Sequence, residues 1–118
     1  MDEQTFKDRT KKLALSIINM TEALPKTRPA DILARQIIRS GTSIGANYRA
    51  ACRAKSTPDM LNKLKIVEEE SDETVYWLEL LRESKSAPDS VIASLIKEAD
   101  EITAMTVASI KTLRSRNH

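Results

Sequence analysis

Residues 91–113 read VIASLIKEADEITAMTVASIKTL, and within them Ile92, Leu95, Ala99, Ile102, Thr106, Ser109 and Leu113 recur at alternating steps of three and four. That alternation lays one seam of apolar and small side chains along an α-helix that packs against other helices. Working back toward the N-terminus, the same kind of spacing appears three more times. Phe6, Leu13, Ile17, Met20 and Leu24 share one helical face; Leu33, Ile37, Ile44 and Ala51 share a second; Met60, Leu64, Val67, Ser71, Val75 and Leu78 share a third.

The breaks between these segments carry their own signals. Pro25 stops the first helix, and Pro29 sits where a first helical turn tolerates a missing N–H. Ser56-Thr57-Pro58-Asp59 and Ser86-Ala87-Pro88-Asp89 repeat one pattern, in which a serine caps, proline fits the first turn and aspartate meets the positive helix end. The expectation is an all-α chain, one domain over residues 1–118, with helices at about 3–24, 29–54, 57–84 and 87–114 in an antiparallel up-down-up-down four-helix bundle. The tail from Arg114 to His118 is expected to fray.

Composition agrees with that reading and narrows the chemistry. Two glycines and four prolines in 118 residues leave the chain rich in helix formers, and a chain of this length buries about two thirds of its unfolded surface. A second domain has no room. Cys52 stands alone and cannot form an internal disulfide, and nothing before Thr5 has the form of a charged-then-apolar leader, so a reducing cytoplasm is expected. Apolar runs such as Val75-Tyr76-Trp77-Leu78 fall far short of the ~20 residues of a membrane span, so no membrane association is expected.

Catalytic and metal-binding patterns fail on residue type. A di-iron bundle needs Glu-x-x-His pairs and a zinc site needs four ligands, whereas His118 is the only histidine and Cys52 the only cysteine. Ser94-Leu95-Ile96-Lys97 spells S-x-x-K without its companion motifs, and Cys52 has no histidine to activate it. No enzyme activity, cofactor or metal is expected.

Charge distribution says more than the net +2. Residues 28–55 hold six basic and one acidic side chain, and residues 58–84 hold three basic and eight acidic ones. At ~100° per residue, Arg35, Arg39, Arg49 and Arg53 fall within about 40° of one line, opposite the apolar face of their helix. They form either a solvated or ion-paired face, or a contact for phosphate or an acidic partner. On the third helix Tyr76, Trp77 and Leu80 point away from the apolar line together with Glu69, Glu70 and Glu73, so that helix is apolar on two sides. Glu70, Glu73, Tyr76, Trp77 and Leu80 are the candidate oligomer interface; the alternative is an aromatic pair covered by its own bundle. Gly41 and Gly45 form a G-x-x-x-G with Ser40 and Ser43 beside it, each glycine costing about 1 kcal/mol in a helix, and close helix packing is the expected offset.

Arg39-Ser40-Gly41-Thr42-Ser43-Ile44-Gly45-Ala46-Asn47-Tyr48-Arg49, followed by Leu61-Asn62-Lys63-Leu64-Lys65-Ile66 and Asp72-Glu73-Thr74-Val75-Tyr76-Trp77-Leu78-Glu79-Leu80-Leu81, resembles the bacterial four-helix bundle family that includes the 23S rRNA intervening-sequence proteins. The most specific part is R-S-x-x-S-I-x-A-N, carried by Arg39, Ser40, Ser43, Ile44, Ala46 and Asn47. Many members continue with A-E-G or R-E-A; Arg49-Ala50-Ala51 lacks that glutamate, and its role does not transfer. The resemblance implies a cytosolic bundle assembled as a ring-like homopentamer. It also implies kinship with an accessory protein of diversity-generating retroelements that binds a reverse transcriptase and nucleic acid, and it implies no enzymatic activity. Together the residues and the resemblance point to a non-enzymatic oligomeric adaptor that meets nucleic acid or a nucleoprotein partner through its basic face. The alternative is a protein-binding scaffold whose charged faces serve self-assembly only.

Overall fold

In the computed structural model, which describes residues 2–116, each apolar seam becomes one helix: α1 (Glu3–Glu22), α2 (Arg28–Cys52), α3 (Thr57–Glu83) and α4 (Asp89–Ser115). No strand occurs among the described residues. Each helix packs on its neighbours in the chain, α1 closes against α4, and neither diagonal pair of backbones comes close, so the chain is an up-down-up-down four-helix bundle of 50 × 21 × 21 Å. The part of the tail formed by Asn117 and His118 lies outside the described residues.

Local chemistry sets the helix ends. Asp2 caps α1 by accepting the Thr5 N–H at 2.7 Å, Thr27 caps α2 by accepting from Ala30 at 3.3 Å, and Ser56 caps α3 by accepting from Asp59 at 3.2 Å. The second serine string departs from the first. Ser86 closes α3 instead of opening α4: its N–H donates to the Leu81 carbonyl at 2.9 Å, the Lys85 N–H donates to Arg82 at 3.0 Å, and Lys85 takes the left-handed φ of 58°. This is a Schellman closure. With Ser86 committed there, α4 starts two residues later than expected, at Asp89, with Pro88 as an N-cap that makes no side-chain bond.

The core follows the seams with corrections in α2, α3 and α4; Leu33 and Leu113, at the ends of their seams, are only half-buried. In α1, Phe6, Leu13, Ile17, Met20 and Leu24 are all buried. In α3 the buried line is Leu64, Val67, Ser71, Thr74, Leu78 and Leu81, so Thr74 and not Val75 holds the seam position, and Val75 is half-buried beside it. Met60, at the start of that line, is also half-buried. In α4, Ile110 is buried and Ser109 is exposed, its hydroxyl turned back to the Met105 carbonyl at 3.0 Å. The cause is the shortness of α1. Arg9 reaches Glu98, Glu101 and Met105 on α4, and α1 begins only six residues before it, roughly 9 Å along the axis. Beyond that level α4 has no α1 beside it, and burial rotates toward Ala51 of α2 and Leu64 of α3, which form a small cluster with Ile110. Ser109 is left lining an open groove of about 560 Å³.

Candidate functional site

The stretch from Arg39 to Arg49 lies on α2, the helix with two neighbours of opposite character, and its residues divide between them. Gly41 and Gly45 face α1. A Cβ at Gly41 would lie 2.7 Å from Ile17 Cδ1, and one at Gly45 would lie 3.0 Å from Thr10 Oγ1. Ser40 faces α3, where the buried Thr74 Oγ1 lies 2.9 Å from Ser40 Oγ and 2.8 Å from the Glu70 carbonyl. Ser43 is half-buried, and both its hydroxyl and its carbonyl accept from Asn47 of the same helix at 2.9 Å.

The four arginines do not act as one line. Arg35 pairs with Asp31 of its own helix at 3.2 Å, both side chains well exposed. Arg39 leans to α3, where it meets Glu70 at 3.4 Å and also pairs with Glu73. Arg49 leans the other way and lines a groove of about 420 Å³ between α1 and α2, together with Lys7 and Lys11. Arg53, at the C-cap of α2, is exposed. Neither Arg49 nor Arg53 has an ion-pair partner among the described residues. A deviation of 40° either side of the outer line is enough to hand a long side chain to one neighbour or the other. The sequence reading passed over Lys7 and Lys11, because their proximity to Arg49 depends on how α1 docks.

On the α2–α3 side, an ion cluster adjoins an apolar patch. Glu73 accepts from Arg39 and also from the Trp77 indole N–H at 3.2 Å. Trp77 is half-buried against the core, and its ring centroid lies 5.1 Å from that of Tyr76, which is 53% exposed. Leu80, half-buried, stands one heptad beyond Glu73, and Ile32, 52% exposed, one heptad before Arg39. The seven-residue step from Arg39 is the signal that would have added Ile32 to the patch. Burial, seconded by the charge of Glu73 and opposed by Arg39, pushes the Glu70 carboxyl above its usual range.

Cys52 and the Ser94–Lys97 pair, which the sequence singles out, are placed as follows. Burial pushes the Cys52 thiol up, away from the reactive thiolate. No hydrogen bond joins Ser94 to Lys97 among the described residues, and no group of three or more His, Cys, Asp or Glu among them is placed to hold a metal ion. No helix of the described residues is long and apolar enough to cross a membrane.

Comparisons with known proteins fit this architecture. A family model described as 23S rRNA-intervening sequence protein matches residues 3–108. The chain is similar to the crystal structure of a protein of unknown function from the S23 ribosomal protein family of Bacteroides thetaiotaomicron VPI-5482. The TM-score is 0.87 and the identity 37%, covering 94% of this chain and 99% of that one. No curated protein matches the chain.

Proposed function

The chain belongs to the 23S rRNA-intervening sequence protein family, and from that premise we propose that it is a non-enzymatic, homo-oligomeric adaptor of the cytoplasm that joins itself to nucleic acid or a nucleoprotein partner. The observation that carries the reading is the α2–α3 patch. Ile32 on α2 and Tyr76 on α3, the latter against Trp77, are more than half exposed, and large apolar side chains left open on a small bundle favour contact with another chain. Arg39, Glu70 and Glu73 border it with charges of both signs, which suits a contact with a second copy. The resemblance supplies a number, five, and a heterologous contact of that kind closes into a ring.

The expected outcome is an assembly several times the mass of the 13.2 kDa chain in light scattering at micromolar concentration. Ile32→Glu with Tyr76→Glu, two exposed positions, should return it to monomer with its helical circular dichroism intact. A monomeric wild type, or an undisturbed assembly in the double variant, would overturn the interface. The basic side chains of α2 serve the second half of the reading, contact with an anionic polymer. The scaffold alternative, in which charged faces act only between subunits, is favoured if charge substitution dissolves the assembly and the intact protein has no affinity for nucleic acid at low salt.

A further inference from the structure

The groove between α1 and α2 is built differently from the outer ridge of α2. Its walls are Gln4, Lys7, Lys11 and Arg49, with Asp8 on the α1 side, and its floor is made of Ala14, Thr42, Gly45 and Ala46. The small floor follows from the close approach at Gly45, which brings the two helix backbones together and leaves the long cations standing along the rims. Lys7 and Lys11 are one helical turn apart on α1, and Arg49 stands opposite them in the last turn of α2. Phe6 meets Tyr48 with ring centroids 4.3 Å apart, and Gly45 meets Thr10, so the cations that line the groove follow one another in the order Lys11, Lys7, Arg49, over roughly 8 Å, with Arg53 beyond its end at the C-cap of α2. Lys7 shares its charge with Glu3 at 3.1 Å, whereas Lys11, Arg49 and Arg53 have no ion-pair partner among the described residues.

We propose that this α1–α2 groove, rather than the Arg35–Arg39 ridge, is the anion-binding site of the protein, and that it holds the sugar-phosphate backbone of a single-stranded nucleic acid. The proposal rests on the nucleic-acid half of the function proposed above. Three features select this ligand. The cations form a track, which matches a chain of evenly spaced phosphates better than one compact anion. The groove walls hold no large apolar side chain, so an acidic protein would find no pocket for an anchoring residue. The groove runs between two helices, and its cations stand in one file, which suits the backbone of one strand. It also holds no aromatic platform for bases, so the contact is independent of base identity and depends on charge.

The test is fluorescence anisotropy of the whole protein with fluorescein-labelled dT20 across a salt series. Three phosphate contacts, with a slope of about −0.7 each, predict an affinity loss of about twentyfold between 50 and 200 mM salt. Lys11→Gln with Arg49→Gln should weaken binding about tenfold or more at low salt and flatten the slope by about 1.4. Lys65→Gln with Lys97→Gln removes the same charge from exposed positions on α3 and α4 and should change the affinity little. Equal losses in the two double variants would mean diffuse attraction, and the groove would be wrong. Wild-type binding that Lys11→Gln with Arg49→Gln leaves unchanged would overturn the groove while sparing the nucleic-acid reading; no binding by the wild type at low salt would overturn both. Tighter binding of a duplex of the same length, or displacement of dT20 by an oligoglutamate of equal charge, would overturn the choice of ligand.

Discussion

The two flanks of α2 hold their neighbours by opposite means. Toward α1 the contact is a matter of volume: Gly41 makes room for Ile17, Gly45 makes room for Thr10, and the fully buried Ile17 fills the space a side chain would take. Toward α3 the apolar core is joined by a polar contact, with the Ser40 and Thr74 hydroxyls buried together and Arg39 set between Glu70 and Glu73 at the surface. One run of eleven residues therefore serves two interfaces, and its residues divide by angle and not by position in the motif. The difference teaches where each flank is fragile. A close-packed flank fails when atoms are added, and a hydrogen-bonded flank fails when one partner is removed.

The largest effect is expected on the packed flank. Gly41→Leu would drive a branched side chain into Ile17 and force α1 away from α2, at about 3 kcal/mol. For a chain of this size that is a fall in melting temperature of roughly 12 °C, read by circular dichroism. Gly41→Ala separates the two terms: it gains about 1 kcal/mol of helix propensity and loses about as much by displacing the Ile17 Cδ1 atom from its rotamer. Ile17→Val, which deletes that atom, should cost about 1 kcal/mol alone and less than that when combined with Gly41→Ala. If Gly41→Leu melts like the wild type, the α1 contact is not close and the comparison fails on this side.

The hydrogen-bonded flank should respond to deletion. Thr74→Val keeps the shape and removes one hydroxyl, leaving Ser40 Oγ with the Ile37 carbonyl at 3.4 Å, and is expected to cost about 1 kcal/mol. Ser40→Ala should cost a similar amount. The double variant should cost less than the sum, by roughly 0.5–1 kcal/mol, because neither hydroxyl is then left without its partner. Strict additivity in urea unfolding would mean that the two hydroxyls do not depend on each other.

Much of this was legible in the sequence, and what escaped did so for identifiable reasons. The four helices and the α1 core follow from the spacing of large apolar residues, which tertiary contacts only reinforce. Thr74 escaped because Thr74 and Val75 both continue the seam from Ser71, at steps of three and four, and the apolar one was taken; the bonds of Thr74 to Ser40 and the Glu70 carbonyl come with its burial. Ile110 was displaced by Ser109 because the seam of α4 was extrapolated past the level where α1 ends. The arginines were placed on the outer face of α2 by angle alone, but a guanidinium at the end of a flexible stem goes where a carboxylate or a groove receives it. Arg39 found Glu70 and Glu73, and Arg49 found the α1–α2 groove. Those destinations depend on packing between helices, which no single segment encodes.

The smallest effect sharpens the comparison most, because it asks whether the surface ion cluster stabilises the α3 flank at all. Glu70 is held above its ordinary value of 4.5, first by burial, then by Glu73, with Arg39 pulling it down. The native chain then binds a proton more readily than the unfolded one between that ordinary value and the raised one. Through this window the contribution of Glu70 to stability falls as pH rises, the reverse of a carboxylate whose pKa is depressed by its partner. Glu70→Gln should therefore be as stable as the wild type or slightly more so at neutral pH, by less than about 1 kcal/mol for a pair this close to the surface. The gap should close as the pH drops below 4.5. Removing the opposing charge with Arg39→Ala should raise Glu70 further and widen the gap. If Glu70→Gln is instead less stable at neutral pH, with the deficit vanishing in acid, the Arg39–Glu70 contact is a net stabilising ion pair. The α3 flank would then be held by charge as well as by its buried hydroxyls.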